Sequence, residues 1–588
     1  MERTVIVRLK ALWFTTLALG LAVSACAPAT APPASAPTPS AAPASQAAPQ
    51  ASPKSPPLAS GTTQAPSAAS TPTPRPATGT GAVPQSGSEQ PRYGGIVKAI
   101  SAFDIATLDV ISSSSTTVQY VTRPVYSTLL RVDPAKPTEV VGDLATNWEI
   151  TDGGKVYVFT LRDGVRWHDG QPFTAADVVF SIDRMRNPPK GITSVRKDLW
   201  QTISAVEAVD ARNVKITLKA PNASLFSLLA AAPSQIVPKH VLEKDPKAIT
   251  ANMVGTGPYK FVKNEKGIVF EAKRNENYYV KGRPYLDGVQ YYIIPDAATG
   301  FAALRAHRVN FGGWGGSGIS VSQSQQIQRE GLQINMVRYP SIGGQFIILN
   351  QRPGRPFADE RVRKAFALAT DVTAAIQLAQ EGLGRRVGTF VNPASALPEA
   401  EVLKYPQYQP VTDKKLAEAK ALLTAAGYPN GLDLDGSGYS QATYVNAMEV
   451  FAQQAKSVFR IKIKGLETAA AYDGWKAGRF DMAVAPGSPA MNDPSVRAAE
   501  FYVSGAGSNY AGINDKEVDR YYAKSLEATD PLERRKIVQE WERYMLDHYL
   551  IWYLTNNEYI MPMWKEIRDK YIPDLTSGHE WQDVWIAQ

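Results

Sequence analysis

The sequence predicts a mixed α/β protein with more than one β-sheet. Tyr157, Phe159 and Leu161 occur at every second position of a short run, which is typical of a half-buried strand. Asp359 precedes Val362 and further apolar residues at the spacing of one helix face, which indicates a capped amphipathic helix. Segments of both kinds interleave with short connections and show no internal repeat. We therefore expect several sheets covered by helices.

The first half of the ordered sequence contains further signals. Residues 94–100 predict a first strand. Apolar residues spaced from Thr116 onward predict a helix that Pro124 should start, kink or break. Residues 154–167 predict a β-hairpin with its turn at residues 162–164.

Helix caps mark several of the remaining elements. Thr174 is followed three residues later by Asp177, which together form a capping box at the start of a helix. Residues 214–218 predict another strand. Three more helices are predicted at residues 414–426, which Gly427 ends, at 446–459 and at 532–546.

The N-terminus predicts export and lipidation. Basic residues near the start precede a short apolar stretch at residues 11–23, which is the pattern of a signal peptide and too short to span a membrane comfortably. Cys26 is the only cysteine in the chain. The residues Val23-Ser24-Ala25-Cys26 resemble a bacterial lipoprotein box, so we expect residues 1–26 to form a lipoprotein signal peptide with lipidation at Cys26. The alternative is a free thiol at the end of an ordinary signal peptide.

Residues 27–91 consist mainly of Ala, Pro, Ser and Thr and predict a disordered connection between the lipid anchor and a folded body. Beyond this segment the composition is that of a globular protein. The net charge of +8 is modest for 588 residues, and no Lys/Arg run is long enough to form a visible basic patch. Nucleic-acid binding is therefore not expected.

Four motifs in order carry a family resemblance. They are DLATNWEITDGGKVYVFTLRDGVRWHDGQPFTAADVVFSIDRM at residues 143–185, GTGPY at 255–259, RNENYYVKGRPYLDGVQYYIIPD at 274–296 and PFADERVRKAFALATD at 356–371. With them the chain resembles the extracellular solute-binding proteins of family 5, the oligopeptide, dipeptide and nickel group of ABC importers. The motifs themselves carry architecture, because His168 and Asp169 fall in a turn and GTGP lacks the Lys-Ser/Thr of a phosphate loop.

The resemblance implies a periplasmic-binding-protein-like fold of type II, with two hinged lobes that enclose a ligand and an extra insertion domain. We expect the first domain to comprise residues 93–137, 254–345 and 551–588. The insertion would be residues 138–253, and the third domain residues 346–550. Closure of such lobes is driven by ligand contacts that exist only in the closed state.

The resemblance also places candidate ligand-binding residues. Ser114 lies in a hydroxyl-rich loop, residues 112–116, that would line the cleft or simply cap a helix. Trp314 lies between glycines in a loop that crosses the ligand site in the family, where its ring could stack on a sugar, a heterocycle or a cation. The alternative is a Trp packed on the core. Phe346, at the start of the third domain, is a further candidate.

The segment FDMAVAPGSPAMNDP, residues 480–494, aligns with the family segment whose Asp holds the α-ammonium of peptide ligands. That position is Ala490 here, and Gly487 replaces a Trp at the pocket mouth, so we expect a roomier pocket without an anchor for a free amino group. The remaining wall candidates are Tyr439, Tyr472 and Met491. Asp493-Pro494 is interpreted as structural, and Trp475 as the apolar face of a helix.

These observations predict a substrate-binding lipoprotein of an ABC importer that captures a peptide or other polar organic solute and delivers it to permease subunits. An oligosaccharide- or chelate-binding member of the family is the alternative, as is a ligand sensor for a membrane receptor. A secreted hydrolase is disfavoured, because catalytic motifs such as Gly-x-Ser-x-Gly and HExxH are absent. We expect an exported monomer on the outer face of the cell membrane or in the periplasm, without cofactor or bound metal.

Overall fold

The computed structural model describes residues 89–113, 115–133, 136–250, 252–313, 318–392, 395–487, 491–568 and 581–587. Its strands are β1 (Ile96–Ser101), β2 (Leu130–Asp133), β3 (Lys136–Gly142), β4 (Ala145–Thr151), β5 (Val156–Leu161), β6 (Ile203–Ala208), β7 (Asn213–Leu218), β8 (Tyr259–Glu265), β9 (Val269–Arg274), β10 (Gly288–Ile293), β11 (Ile334–Leu349), β12 (Leu432–Tyr439), β13 (Phe459–Leu466), β14 (Met482–Gly487), β15 (Trp552–Trp564), β16 (Ile567–Arg568) and β17 (Trp585–Ile586).

The helices separate and cover these strands. They are α1 (Thr116–Thr122), α2 (Ala175–Arg186), α3 (Leu225–Ala230), α4 (Lys239–Leu242), α5 (Ala297–Arg305), α6 (Val321–Arg329), α7 (Glu360–Ala369), α8 (Val372–Ala379), α9 (Glu399–Val402), α10 (Asp413–Ala425), α11 (Ala442–Ala455), α12 (Thr468–Lys476), α13 (Pro494–Phe501), α14 (Lys516–Glu527) and α15 (Pro531–Asp547). The mixed α/β fold with several sheets is confirmed.

The N-terminal sheet has the strand order β1-β10-β9-β8, with β1 parallel to β10 and the other pairs antiparallel. Val97 and Ala99 of β1 are fully buried, whereas Ile96 is 37% exposed, as the period of a strand requires. Phe311 bridges Ala99 on one side and Met563 of β15 on the other. This residue therefore links the sheet to the long strand β15.

The middle sheet has the order β4-β5-β7-β6 and corrects the predicted hairpin. The strand at 156–161 forms as expected, but it pairs with β4 on one side and β7 on the other. Both edges of β5 are therefore occupied, and residues 165–167 cannot pair with it. They pair instead with the next residues along the chain, through the bridge of Arg166 with Pro172.

His168 has the structural role that the sequence indicated. Its Nδ1 accepts the backbone N–H of Gly255 at 3.2 Å, and its Nε2 donates to the carbonyl of Gly257 at 3.0 Å. A Cβ on Gly255 would lie 1.8 Å from the carbonyl oxygen of Val125, so this backbone requires glycine. The GTGP segment is thus a turn that leads into β8, which begins at Tyr259.

The C-terminal sheet has the order β13-β12-β14-β11-β15. Strands β13, β12 and β14 are parallel, and β11 and β15 are antiparallel to their neighbours. Helices α7, α8, α10 and α11 contribute to the apolar core on one face, including Val362, Phe366, Leu423 and Phe451. The continuous apolar character of β14 follows from burial of the strand between layers.

Several predicted helix boundaries are confirmed and one is wrong. Asp359 caps α7 by accepting the N–H of Arg361 at 2.9 Å, and Asp177 accepts the N–H of Thr174 at the start of α2. Predicted helix 446–459 actually begins at Ala442 and ends at Ala455. Phe459 starts β13 instead, because it pairs in parallel with Leu432 of β12.

Strands β11 and β15 cross from one core to the other. Residues 334–340 of β11 pair with residues 558–564 of β15 beside the N-terminal sheet, and residues 344–347 pair with 552–556 in the C-terminal sheet. The register shifts between Pro340 and Gly344, where both strands leave one core for the other. We call residues 340–344 together with 556–558 the crossover.

Candidate functional site

Asn556 holds the crossover together. Its side chain is fully buried, and Nδ2 donates to the carbonyl oxygens of Ser341 at 2.6 Å and Gly343 at 2.8 Å. Its backbone N–H and C=O both pair with Arg385. On the adjacent β11, a Cβ on Gly344 would lie 1.9 Å from the carbonyl oxygen of Thr555. The two strands therefore approach each other more closely here than a side chain would allow.

Tyr439 and Tyr472, which are both candidates for the pocket wall, lie close together. Their ring centroids are 6.1 Å apart. The ring of Tyr444 lies 5.1 Å from that of Tyr439, and the ring of Tyr510 lies 6.1 Å from that of Tyr472. We call these four tyrosines the aromatic wall. Burial raises the pKa of Tyr439, and the hydrogen bond with Tyr472 raises it further, so the hydroxyl of Tyr439 stays protonated. Trp475 packs behind the wall, 1% exposed, with Nε1 donating to Ser437 Oγ at 3.0 Å.

Tyr559 of β15 lies beside the crossover. Its ring is 5.5 Å from that of Tyr339 on β11, and both tyrosines pack with the core of the N-terminal sheet. Burial, together with Tyr559 and Tyr472, raises the pKa of Tyr444 to about 12. A pair of aromatic rings from the N-terminal core therefore borders the crossover.

Trp314 lies outside the described residues, but both flanks of its loop are fixed on β15. The N–H of Gly312 donates to Pro562 O at 2.8 Å, and the N–H of Ile319 donates to Ile560 O at 2.9 Å. A Cβ on Gly318 would lie 3.6 Å from Cβ of Tyr559. The loop therefore leaves and rejoins β15 next to the aromatic residues of the crossover.

Phe346 and Gly487 are in direct contact, and this changes the expected pocket. A Cβ on Gly487 would lie 1.8 Å from Cε2 of Phe346, whose ring is 1% exposed. The ring also packs 4.4 Å from Tyr553 and 5.6 Å from Phe501. The room expected where Gly487 replaces a Trp is thus occupied by Phe346. Phe346 is therefore a packing residue of this region, and its ring presents little surface to a ligand.

Asp493 joins three segments, in agreement with its structural interpretation. It caps α13 by accepting the N–H of Ser495 at 2.9 Å, receives both Nη atoms of Arg534 at 2.8 Å, and accepts Ser227 Oγ at 2.9 Å. Burial alone would raise the pKa of Asp493, but Arg534 and the hydrogen bonds bring it below the ordinary value. The carboxylate therefore stays charged and connects α3, α13 and α15.

Two further candidate ligand-binding residues are Met491 and Ser114. Met491 is 3% exposed and belongs to the apolar core of the middle sheet with Val110 and Val496. Its side chain therefore packs in that core and does not line an open pocket. Ser114 lies outside the described residues, as do Ala490 and Cys26. Next to Ser114, the carbonyl of Ser113 accepts Nη1 of Arg196 at 3.1 Å, which joins this loop to the segment between α2 and β6.

Arg497 is a site residue that sequence reasoning missed. It is 2% exposed on α13, and its guanidinium lies 5.1 Å from the ring of Phe346, 5.5 Å from Phe501 and 5.2 Å from Tyr553. The available signal was a charged residue inside PSVRAAEF, three residues after Pro494 on an otherwise buried helix face. Such a burial of charge is rare unless the charge is used or balanced.

Glu542 organises the loop on the other side of this region. Its side chain is fully buried and accepts the N–H groups of Thr389 at 2.6 Å, Phe390 at 3.0 Å and Leu397 at 2.6 Å. Burial raises the pKa of Glu542 to about 7, although the three hydrogen bonds from backbone N–H groups lower it. One carboxyl group therefore accepts three backbone N–H groups of the loop that follows Gly388.

Within the described parts of the chain, no group of three or more His, Cys, Asp or Glu side chains has a metal-binding arrangement. No helix among the same residues combines the length and apolar character needed to cross a membrane.

Comparison with known proteins identifies the family. Residues 139–509 match the family described as "Bacterial extracellular solute-binding proteins, family 5 Middle". The glutathione-binding protein GsiB of Salmonella typhi is 28% identical over 467 residues, which are 76% of this chain and 85% of GsiB.

Solved structures agree on the fold. The ABC transporter substrate-binding protein CtaP from Listeria monocytogenes superposes with a TM-score of 0.72 at 21% identity, over 84% of this chain and 100% of CtaP. The binding protein AgaA of A. tumefaciens R10, solved in complex with agropinic acid, superposes with a TM-score of 0.64 at 25% identity, over 84% of this chain and 99% of AgaA. The periplasmic-binding-protein fold expected from the sequence is thus confirmed.

Proposed function

Because the chain belongs to the bacterial extracellular solute-binding proteins of family 5, which bind solutes for ABC importers and are not enzymes, we propose that it captures a polar organic solute between two lobes. The observation that carries this proposal is the crossover. Two strands join the two cores, and the aromatic pair Tyr339 and Tyr559 lies beside them. A connection of this kind lets the cores rotate about a few backbone torsions and enclose a solute.

The three predicted domains remain part of the proposal. The segments that contain β11 and β15 would form the hinge, and the insertion at residues 138–253 would move with the first lobe. The contact of Ser227 with Asp493 would then join the insertion to the third domain, residues 346–550. Trp314 and the aromatic wall are the groups that we propose to contact the solute.

We infer a solute with flat or ring-shaped apolar faces and polar groups. Of the aromatic wall, Tyr444 and Tyr472 are partly exposed, whereas Tyr439 and Tyr510 are buried. The two partly exposed rings carry hydroxyl groups and suit stacking combined with hydrogen bonding. Ala490 removes the carboxylate that would bind a free α-ammonium, so this group is not required of the ligand. Glutathione and agropinic acid, bound by the relatives GsiB and AgaA, both carry carboxylate groups. A modified peptide or an opine-like acid fits best, and an oligosaccharide or a chelate is the alternative.

The proposed location is the outer face of the cell membrane. Lipid attached to Cys26 would anchor the chain, and residues 27–91 would let the folded body reach both the solute and the permease. Metabolic labelling with palmitate tests the anchor. A Cys26→Ala variant should lose the label and leave the membrane fraction.

Solute capture is tested by identifying what the protein carries. Native mass spectrometry of protein purified without refolding should detect a bound organic solute. Small-angle scattering should show a smaller radius of gyration with the solute than without it. Tyr472→Ala should weaken binding of this solute, whereas the matched change Tyr93→Ala, at a 59% exposed position outside the aromatic wall, should not. Turnover of the solute, or an identical shape in both states, would refute the proposal.

A further inference from the structure

The proposed insertion, residues 138–253, is held to the first domain by chain connections and by buried polar contacts. Both of its ends continue into segments of that domain. Nη2 of Arg184 pairs with Oδ2 of Asp109 at 2.7 Å, and both side chains are at most 2% exposed. Nε2 of Gln235 donates to Oγ1 of Thr122 at 2.9 Å in a second buried contact. We therefore expect the insertion and the first domain to move together.

The insertion also contacts the third domain, through two hydrogen bonds that we call the latch. The N–H of Ala223 donates to the carbonyl oxygen of Leu526 at 2.8 Å, and Oγ of Ser227 on α3 donates to Oδ2 of Asp493 at 2.9 Å. Leu526 lies in the last turn of α14, where carbonyl groups have no acceptor role within the helix. Ala223 therefore supplies a donor that α14 itself cannot provide.

Arg534 of α15 fixes the surface that the latch uses. Its two Nη atoms donate to the two oxygens of Asp493 at 2.8 Å, and its Nε donates to the carbonyl oxygen of Ser525 at 2.9 Å. Asp493 caps α13, and Ser525 lies near the end of α14. These bonds lie entirely within the third domain, so they do not depend on the insertion. Both acceptors of the latch are thus held in place, which reduces the entropy lost when the latch forms.

Apolar side chains accompany the latch. Met491 and Val496 of the third domain belong to the same apolar core as Leu225 and Leu228 of α3, and they are 3% and 5% exposed. Separation of the insertion from the third domain would expose part of this core to water, which opposes separation. The contact therefore combines hydrogen bonds with apolar burial.

We propose that the insertion stays with the first lobe and that the latch stabilises the closed arrangement, which raises the affinity for the solute. This inference rests on the proposed function and assigns the regulation of lobe closure to contacts outside the aromatic wall. If the insertion moves with the first lobe, opening must break the latch. Contacts that exist only in the closed state increase its population, and the apparent affinity rises with that population.

Ser227→Asp and Ser227→Ala test the latch. In the closed arrangement a carboxylate at position 227 would lie beside that of Asp493 and be repelled, whereas water would surround it in the open one. Ser227→Ala removes only the hydroxyl donor. Ser204→Ala is the matched control, because Oγ of Ser204 donates to the carbonyl oxygen of Thr217 within the middle sheet at 3.0 Å.

Binding is measured by calorimetry for the solute released from the purified protein, with glutathione as a second probe. Ser227→Ala should weaken binding about 3- to 30-fold, as the loss of a hydrogen bond to a charged group requires, and Ser227→Asp should weaken it further. The factor should be the same for each probe that binds, because the latch contacts neither. Ser204→Ala should match the wild type. Without solute, Ser227→Asp should have a larger radius of gyration than the wild type in small-angle scattering.

Hydrogen exchange of the wild type identifies which side of the insertion separates. Addition of the solute should protect the peptide that contains Ala223. The peptide that contains Val195 should be unchanged, because its N–H donates to the carbonyl oxygen of Ile111 in the first domain at 3.0 Å in a contact that opening leaves intact. This measurement needs no variant, so it decides the question even if Ser227→Asp lowers the midpoint of urea unfolding.

Equal binding by the Ser227 variants and Ser204→Ala would overturn the inference while leaving solute capture intact. Protection at Val195 without protection at Ala223 would also overturn it, because the insertion would then move with the third domain. If neither the released solute nor glutathione binds to the wild type, the proposed function fails together with the inference.

Discussion

Nδ2 of Asn556 donates to the carbonyl oxygen of Gly343 at 2.8 Å and ties β15 to β11 where both strands pass from one core to the other. The same amide donates to Ser341 at 2.6 Å. One side chain thus supports the irregular backbone of the crossover, where the regular ladder is interrupted. Rotation of the lobes about this point would have to preserve or replace these bonds.

Asn556→Ala should destabilise the protein by about 2–4 kcal/mol, because one buried and one partly buried carbonyl group lose their donor. Urea unfolding, followed by tryptophan fluorescence, measures the change. Asn430→Ala at an exposed turn should change the free energy of unfolding by less than about 0.5 kcal/mol. Equal stability of the two variants would show that Asn556 does not support the crossover.

Gly344→Ala should be severely destabilising, by about 3 kcal/mol or more, because the new Cβ would lie 1.9 Å from the carbonyl oxygen of Thr555. Gly474→Ala is the matched control. Gly474 lies in α12 with no atom within 4 Å of an added Cβ, and alanine there should stabilise by up to about 1 kcal/mol. Differential scanning calorimetry compares the two, and similar midpoints would contradict this prediction.

Glu542→Gln should cost about 3 kcal/mol or more, because an amide nitrogen replaces one of the two oxygens that accept backbone N–H groups. The loop from Thr389 to Leu397 should also exchange its amide hydrogens faster. Glu540→Gln, exposed on the same helix, should leave both quantities unchanged. Unaltered hydrogen exchange in the loop of Glu542→Gln would refute the assigned role.

His168 predicts a pH dependence of stability. Burial lowers its pKa from 6.5 to about 4, so the unfolded chain binds this proton more readily than the folded one. The contribution of the neutral ring is therefore fully present above pH 6.5 and is lost as the pH falls towards 4.

Glu542 acts with the opposite sign in an overlapping window, because its pKa is raised to about 7. The informative quantity is hence the difference between wild type and His168→Gln, measured by urea unfolding from pH 7.5 to 4.5. The stability advantage of the wild type should shrink with falling pH. A constant difference would mean that His168 titrates normally.

Local patterns predicted much of the secondary structure. Capping residues such as Asp359 and Thr174 act within one helical turn, so their effect can be predicted from residues that are close in sequence. The predicted hairpin at residues 154–167 failed for a non-local reason, because β7, more than fifty residues later, occupies the edge of β5 that the hairpin needed. Pairing partners are decided by competition between distant strands.

The candidate site was harder to predict than the fold. Tyr439, at the end of β12, and Tyr472, within α12, lie 6.1 Å apart between ring centroids, and their role as pocket walls stays a prediction. The expected space at Gly487 was not there, because Phe346 arrives from a strand about 140 residues earlier in the chain. Arg497 went unnoticed because a single Arg in a short helix gives no sign of the three rings around it.

The sequence by itself determined the α/β character and the family, because these depend on local periodicity and on motifs of adjacent residues. Only the tertiary structure decided how the crossover is tied, what fills the space beside Gly487 and where the charge of Arg497 lies. These features depend on side chains brought together across more than a hundred residues of chain. Their packing and electrostatic energies are set by distance in space, which no local pattern encodes.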